Sequence, residues 1–553
     1  MAIGILGSAL SGLAAFQRSL EVTSNNISNV NTEGYSRQRV ELQTSPEQFV
    51  GHGYLGSGVN ATNIKRSYDE FVNTQQRSSA TAFNDVDSFY LLSTQMDNLI
   101  ANESTGLSPA MKSFFNAVND VANDPTSIPA RQVMLSEGDA IARQFNTMSN
   151  RFDDLRQQVN SNLDTSVKEV NSFTKSIADL NRRIMDAVGK TSGQQLPNEL
   201  MDQRDLLLSK VAEKMDISVV PQPDGSFSIF TQQGQPLVLG TNASSLSLQG
   251  AANDPSHLLV KLNGEDITGN LTGGEIYGNL RFRDEMLDSA QNQLGLLATG
   301  LAIEFNKVHQ DGYDLNDNPG LKFFDLGSPT NLPVVSNVQD SNLTVTADFV
   351  APTAAVNLGA SYRVEVTGVA PNNVYTLTNL SDNSIAAGLS DAGLAAFGFN
   401  LNFSGAGSVN IGDSFKVSPF FKAAESIKIN PAISTPGQIA AAGAKNQPGD
   451  NSKALELAGL ESLNLMFGGK SSFTQVYGQL VSDVGSKTHN ASVSRSAQKV
   501  LLDQATQARE DLVGVNLDEE AANLIKFQNS YQAAAKAVSV ANALFDSLLG
   551  VIR

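Results

Sequence analysis

Leu6, Leu10, Leu13, Leu20 and Ile27 recur at steps of four, three, seven and seven, with Phe16 beside the same stripe. That heptad-like spacing predicts an amphipathic helix at the start of the chain. The polar run that follows, with Asn25, Asn26, Asn29, Asn31 and Gly34 ahead of Tyr35, favours side-chain-to-backbone bonding and left-handed dihedrals over continued helix. The helix is expected to stop there and the chain to bend. The other end mirrors the first: Leu517, Ala521, Leu524, Phe527, Tyr531, Ala534, Val538, Ala541, Phe545, Leu548 and Ile552 step by threes and fours. Each stripe is too narrow to be buried alone, and single helices are marginal in water, so the two ends are expected to pair with each other and with further copies.

Between the ends the period changes several times. Phe89, Leu92, Met96 and Leu99, then Leu206, Leu207, Val211 and Met215, keep a helical period. After Met215 the period drops to two, with Ile217 and Val219, a Pro223 to Gly225 turn, Phe227 and Ile229, then Leu258, Val260 and Leu262 before Asn263-Gly264. Helix returns at Leu280, Leu287, Leu294, Leu297, Leu301, Phe305 and Val308. A longer alternating stretch follows: Leu343, Val345, Ala347 and Phe349; Tyr362, Val364 and Val366; Phe397, Phe399, Leu401 and Phe403. Helix resumes from Phe473 through Val476, Leu480, Val484, Val493, Val500 and Leu512 before a break at Gly514 to Asn516.

The expected architecture is a multidomain α+β protein with nested domains. Residues 1–40 and 515–553 form a coiled-coil-like terminal helical unit; 41–215, 276–325 and 422–514 form a discontinuous, mainly helical bundle; 216–275 is a small β-rich insert; and 326–421 is an all-β insert of sandwich or barrel type.

Charge sharpens that division. The chain has 553 residues with 38 Lys+Arg against 56 Asp+Glu, a net charge of −18. Residues 1–40 carry three Arg against two Glu, and residues 515–553 three bases against four acids, so the ends sum to zero and the whole excess lies in the middle. That fits a solvated middle and packed ends. An acidic chain with no run of Lys and Arg is a poor nucleic-acid binder. Zero Cys excludes disulfides, thiolate metal sites and cysteine nucleophiles. No stretch reaches the roughly 18 uninterrupted apolar residues of a membrane helix, so no membrane insertion is expected. The first basic residue is Arg18, and Gly and Ser interrupt the apolar residues before it, which is unlike a cleaved secretory signal.

Candidate chemistry is sparse. Gly51-His-Gly53-Tyr-Leu-Gly56 matches G-x-G-x-x-G, but no strand precedes it and no helix opens at its third glycine, so a turn is expected. Gly469-Lys470-Ser471 has Asn464 where a phosphate loop needs glycine. Asp314, Asn316 and Asn318, with Asp325 at the twelfth position, approach a calcium loop, but Pro319 occupies the glycine position and an Asn/Asp-rich turn is the better reading. His52, His257, His309 and His489 have no ligand spacing and are read as isolated surface histidines. Asp202 and Asp205, flanking Arg204, are read as a solvated helix face with a local ion pair. Asn-x-Ser/Thr triplets such as those at Asn270 and Asn342 arise by chance in so Asn- and Ser-rich a chain, and no G-x-S-x-G elbow is present. No catalytic, cofactor or metal residues are assigned.

The segment SNNISNVNTEGYSRQ, Ser24 to Gln38, resembles the amino-terminal signature of the flagellar rod, hook and hook-associated proteins. GHGYLGSGVNATNIKRSYDEFV, Gly51 to Val72, resembles the segment that follows it in that family. GVNLDEEAANLIKFQNSYQAAAKAVSVANALFDSLL, Gly514 to Leu549, is similar to the family's carboxy-terminal helix. PNELMDQRDLLLSKVAEKMDISV from Pro197, with HQDGYDLN from His309, points to the hook–filament junction members. The resemblance is closest at the two ends, continues through the helical domain and fades across 326–421.

It implies an extracellular, non-enzymatic adaptor between hook and filament, exported through the flagellar type III channel without a cleaved signal. The implied partners are a ring of copies of itself, the hook protein, the second junction protein (hook-associated protein 3) and an export chaperone that shields the carboxy-terminal helix. On this reading Leu6, Leu10, Leu13, Phe16, Leu20 and Ile27 pack with Leu517, Leu524, Phe527, Tyr531, Val538, Phe545, Leu548 and Ile552 as the assembly interface, and Asn25, Asn26, Asn29, Asn31, Gly34 and Tyr35 form the bend behind it. Two alternatives stay open at this point: a hook or filament subunit that polymerises alone, and a secreted adhesin carried by the second β insert.

Overall fold

The computed structural model describes residues 2–49, 53–102, 106–191, 195–251, 254–327, 332, 334–340, 342–355, 358–369, 372–380 and 383–552, without the side chains of 2, 3, 5 and 548–552. Gly51, His52 and the side chains of Leu548 and Ile552 therefore lie outside the described residues.

The chain opens with helix α1 (Ala2–Ser28). An antiparallel hairpin follows where periodicity gave no signal: Gln38–Thr44 pairs with Val59–Arg66, and Gln48–Phe49 pairs with Tyr54–Leu55 nearer the tip. Few positions of the long strands are buried, so the sequence shows little of the alternation that marks a half-buried strand.

The helical bundle contains α2 (Glu70–Ile100), α3 (Leu107–Asn123), α4 (Ile128–Lys190) and α5 (Asn198–Lys214). Asp69 caps α2 by accepting the Val72 N–H, and Ser127 caps α4 by accepting the Ala130 N–H. At 63 residues α4 is the spine of the molecule, about 95 Å long at 1.5 Å per residue. Its stripe of Met134, Ile141, Phe145, Met148, Phe152, Val159, Leu163, Val170, Ile177 and Ile184 is buried over nearly that whole length. After α6 (Gly274–Arg281) and one π-helical turn, α7 (Asp288–Gln310) is buried on almost every side, which makes it the centre of the core.

The first β insert is a four-stranded sheet from Ile217–Pro221 to Asn242–Ala243 and a three-stranded sheet from Leu246–Ala251 to Glu265–Asp266. Two α4 amides attach it to the spine. Asn181 bonds both the N–H and C=O of Phe227, and Asn171 does the same for Leu246. Each asparagine thus takes the place of a neighbouring strand.

In the second insert, five antiparallel strands lie in the order Val334–Asn337, Ser414–Val417, Tyr362–Gly368, Val374–Asn379, Ile385–Leu389. The pair Leu343–Phe349 and Phe399–Gly405 packs against them through Phe399 on Tyr362 and Phe403 on Phe415. Most positions expected to face inward do so: Leu343, Val345, Ala347, Phe349, Tyr362, Val364, Val366, Phe399 and Leu401 are buried. Phe403 is half-buried, and Phe397, expected on the strand, ends a short turn ahead of it and is half-buried too. This insert also holds the short helix α8 (Asp391–Leu394), and α9 (Ala423–Ser426) follows it.

Beyond α10 (Ser452–Gly459), helix α11 (Phe473–Val513) opens with a Ser472/Gln475 capping box and runs along α2. The last helix, α12 (Leu517–Ile552), returns along α1. The observed architecture is the expected multidomain α+β arrangement, with long terminal helices and small antiparallel sheets between them.

Candidate assembly interface

α1 and α12 pack antiparallel. A Cβ placed on Gly12 would lie 4.0 Å from Ala534 Cβ, and fourteen residues later Asn26 Nδ2 donates to Glu520 at 3.1 Å. Both pairs sum to 546, so the register is constant along the seam. Its α1 side is a stripe of small or polar residues, Gly12, Ala15, Ser19, Val22 and Asn26, at alternating steps of three and four, all buried. Glu520 and Ala541 are buried from α12. Small side chains let the two helices approach closely, which pushes the larger apolar side chains to the rim.

The large residues named from periodicity occupy that rim. Leu6, Leu13, Phe16, Leu20 and Ile27 of α1 are half-buried, as are Leu524, Phe527, Tyr531 and Val538 of α12. Leu10 is 60% exposed, Leu517 50% and Phe545 46%. Ile525, Val540 and Leu544, absent from the expected set, are exposed as well. The hydrophobic stripe therefore marks the faces beside the contact. The contact itself carried a weaker signal, a heptad of small residues.

The expected bend begins later than its asparagines suggest, because α1 runs through Asn25 and Asn26 to Ser28 and the chain turns only from Asn29. Behind the pair lies a hydrogen-bonded node. Asn26 donates from Nδ2 to Gln38 O (2.8 Å) and accepts at Oδ1 from the Gln38 N–H (3.0 Å) and the Tyr35 hydroxyl (2.8 Å). Burial, then the nearby carboxylates of Asp202, Glu199 and Glu520, push the Tyr35 phenol up to about 12, so it stays a donor. Asn29 reaches back to Asn25, Asn31 is exposed, and Gly34 takes φ +80° with a would-be Cβ 3.0 Å from Leu206. Only glycine combines that dihedral with that approach. Arg37 then joins three elements. Its side chain pairs with Glu519 (2.7 Å) and Glu520 (2.8 Å), its N–H donates to Val513 O at the end of α11, and its carbonyl accepts from Ser67.

Beneath this node the expected solvated face on α5 is corrected. Asp202 and Asp205 are buried, both 2.7 Å from Arg66 of the hairpin, and Asp202 also accepts the Ser36 N–H. Burial raises the Asp202 carboxyl despite those donors. Arg204 forms no surface pair. It is fully buried over the Phe227 ring, 3.4 Å from the centroid, and donates to Gly225 O. Burial brings its guanidinium down to about 10. An amphipathic reading places charged residues outside and cannot see partners supplied by a distant hairpin.

The histidines also divide. His489 is exposed as expected, but His309 is fully buried and His257 half-buried, contrary to a surface reading. His257 lies 4.0 Å from Asp284 and 3.9 Å from Asp288. Those carboxylates already pair with Arg283 (2.7 Å) and Arg156 (2.6 Å), so the cluster neutralises itself and a cation would meet two guanidinium groups. Asp314 accepts the N–H groups of Asn316 and Asn318, which makes the segment a turn. Gly469 (φ +77°) also sits in a turn, and Tyr54–Leu55 of the glycine-rich segment is a strand near the hairpin tip.

Three family models match this chain: the flagellar hook-associated protein FlgK helical domain over residues 93–324, the flagella basal body rod protein over 6–35, and the flagellar basal body rod FlgEFG protein C-terminal over 512–551. The chain is 32% identical over 557 residues to flagellar hook-associated protein 1 of Escherichia coli (strain K12), covering 99% of each chain. It is 26% identical to that of Bacillus subtilis (strain 168), covering 98% of this chain and 97% of the relative. Among solved structures, the flagellar hook junction protein FlgK from Burkholderia pseudomallei aligns with TM-score 0.66 and 25% identity, over 79% of this chain and 99% of that one.

Proposed function

The chain belongs to the flagellar hook-associated protein 1 family and is a structural protein of the hook–filament junction, and from that premise we propose that its paired terminal helices are the assembly unit. The observation that carries this reading is the division of side chains across the pair. Small residues hold α1 to α12, while Leu10, Leu517, Val540, Leu544 and Phe545 remain outside with half or so of their surface in water. Burying the rest of each against a neighbour stabilises by about 1 kcal/mol apiece. Repeated around a ring of copies, that suffices to hold an inner tube.

The place of the protein is the extracellular flagellum. In this reading, hook protein contacts one face of the ring and hook-associated protein 3 the other. The chain passes through the type III channel unfolded and without a cleaved signal, and an export chaperone shields α12 beforehand. The β inserts, which lie away from the terminal pair in sequence, face outward as spacers. The role is structural and assigns the chain no turnover.

The test is complementation of a strain lacking the chain. Wild-type protein restores attached filaments. The double variant Leu10→Asp, Val540→Asp is exported and soluble but leaves filament protein shed in the medium. Attached filaments with the double variant would refute the terminal pair as the assembly unit.

A further inference from the structure

The second β insert leaves the bundle through residues 319–327 and returns through 426–443, and the two segments pair briefly, Phe324 opposite Ile429 and Asp325 opposite Lys428. His309, near the end of α7, is buried between them. Its Nδ1 lies 2.6 Å from Leu321 O on the outgoing segment, and its Nε2 lies 2.9 Å from the Ala440 nitrogen on the returning one. A carbonyl only accepts and a backbone N–H only donates, so Nδ1 carries the proton and Nε2 is bare. The Phe323 ring meets the imidazole edge-on at 5.6 Å. Gly320 passes so close that a Cβ there would strike the His309 carbonyl. The charged groups facing the ring are Arg131 of α4 and Asp314 of the loop after α7. Arg131, itself buried, donates to Pro125 O and to Ile439 O, so a second clamp holds the residue next to Ala440. The Asp314 carboxylate is already occupied by the Asn316 and Asn318 N–H groups.

We propose that His309 is an acid-operated latch at the base of the second β insert: protonation of Nε2 by solvent sets two donors face to face, breaks the Ala440 bond and releases the returning segment. Full burial does most to hold the ring neutral, and the nearby Arg131 adds to it, so the imidazole drops from 6.5 to about 4 while closed. A depressed folded value means that the latch contributes its full stability above pH 6.5 and loses it as pH falls towards about 4. Across that window the open population rises about tenfold per pH unit, because opening takes up one proton.

Amide hydrogen exchange of the full chain from about pH 7.5 to 4.5, corrected for intrinsic rates, reads this directly. Peptides covering residues 436–443 are expected to lose protection about tenfold per unit below 6.5, while those from the middle of α4 hold theirs. In His309→Gln, whose carboxamide accepts the Ala440 N–H at every pH, the fall disappears. Flat protection in the wild type, an equal fall in α4, or the same fall in the variant overturns the latch. Should the variant fail to fold, the wild-type imidazole is titrated by NMR in parallel. Protonation that tracks the loss of Ala440 protection supports the proposal, and protonation near 6.5 with protection intact overturns it.

Discussion

Asn26 commits its whole side-chain amide to the joint, with Nδ2 on Gln38 O and Glu520 and Oδ1 on the Gln38 N–H and the Tyr35 hydroxyl. Asn26→Leu leaves buried backbone groups of Gln38 without partners and is expected to cost on the order of 2–4 kcal/mol. Exchange protection at the Gln38 amide is the measurement, and protection within a factor of two of wild type would contradict this role. Arg66 is the matching case for charge. Arg66→Met strands Asp202 and Asp205 in the interior, at an expected cost of about 3–5 kcal/mol at neutral pH. The sign of the pH effect follows. Burial already raises the Asp202 carboxyl, and without Arg66 it rises further, so the variant recovers stability as pH falls and that carboxyl takes up a proton. Thermal melts between pH 7 and 5 check this: a deficit that stays constant counts against the buried pair. Sequence marked the Asn25 to Tyr35 stretch as a bend because such residues bond locally, but the first two stay in α1 and Asn26 bonds to Gln38 and Glu520 instead, so only the part from Asn29 turns. It could not show that Arg66 neutralises Asp202 from 136 positions away.

At the scale of elements, the antiparallel pairing of α1 with α12 separates stability from assembly. Ala15 lies in the closed seam and Leu10 on the open rim. Ala15→Leu overfills the seam and should cost about 1–3 kcal/mol. Leu10→Ala should change the isolated chain by under about 0.5 kcal/mol and weaken assembly instead. A melt and an assembly assay on the same two proteins would show opposite orders of severity; the same order in both would mean that seam and rim are not distinct. Long helices and alternating strands were readable because one face of each meets a continuous core, as in α4 and in Tyr362, Val364 and Val366. The hairpin from Gln38 to Arg66 was not, because few of its positions are buried. The closed seam was missed for a related reason: Gly12, Ala15 and Ser19 carry too little apolar weight to outvote Leu10 and Leu13.

For the whole molecule, the nesting follows from where the chain must be joined. The ends meet at one node of Asn26, Arg37 and Glu520, the bundle hangs from it through the hairpin, α5 and α11, and the β inserts are attached further along α4 and α7. The net charge of −18 lies in that middle, which keeps the outer parts solvated while the neutral ends pack. The most direct test of terminal assembly is electron microscopy of purified protein added to isolated hooks that lack it, comparing the intact chain with one trimmed to Gly51–Gly514. The intact chain is expected to form a single short layer at the distal hook end while the trimmed chain leaves hooks bare. Hooks capped equally by the trimmed chain, or long homopolymers from the intact one, would contradict it.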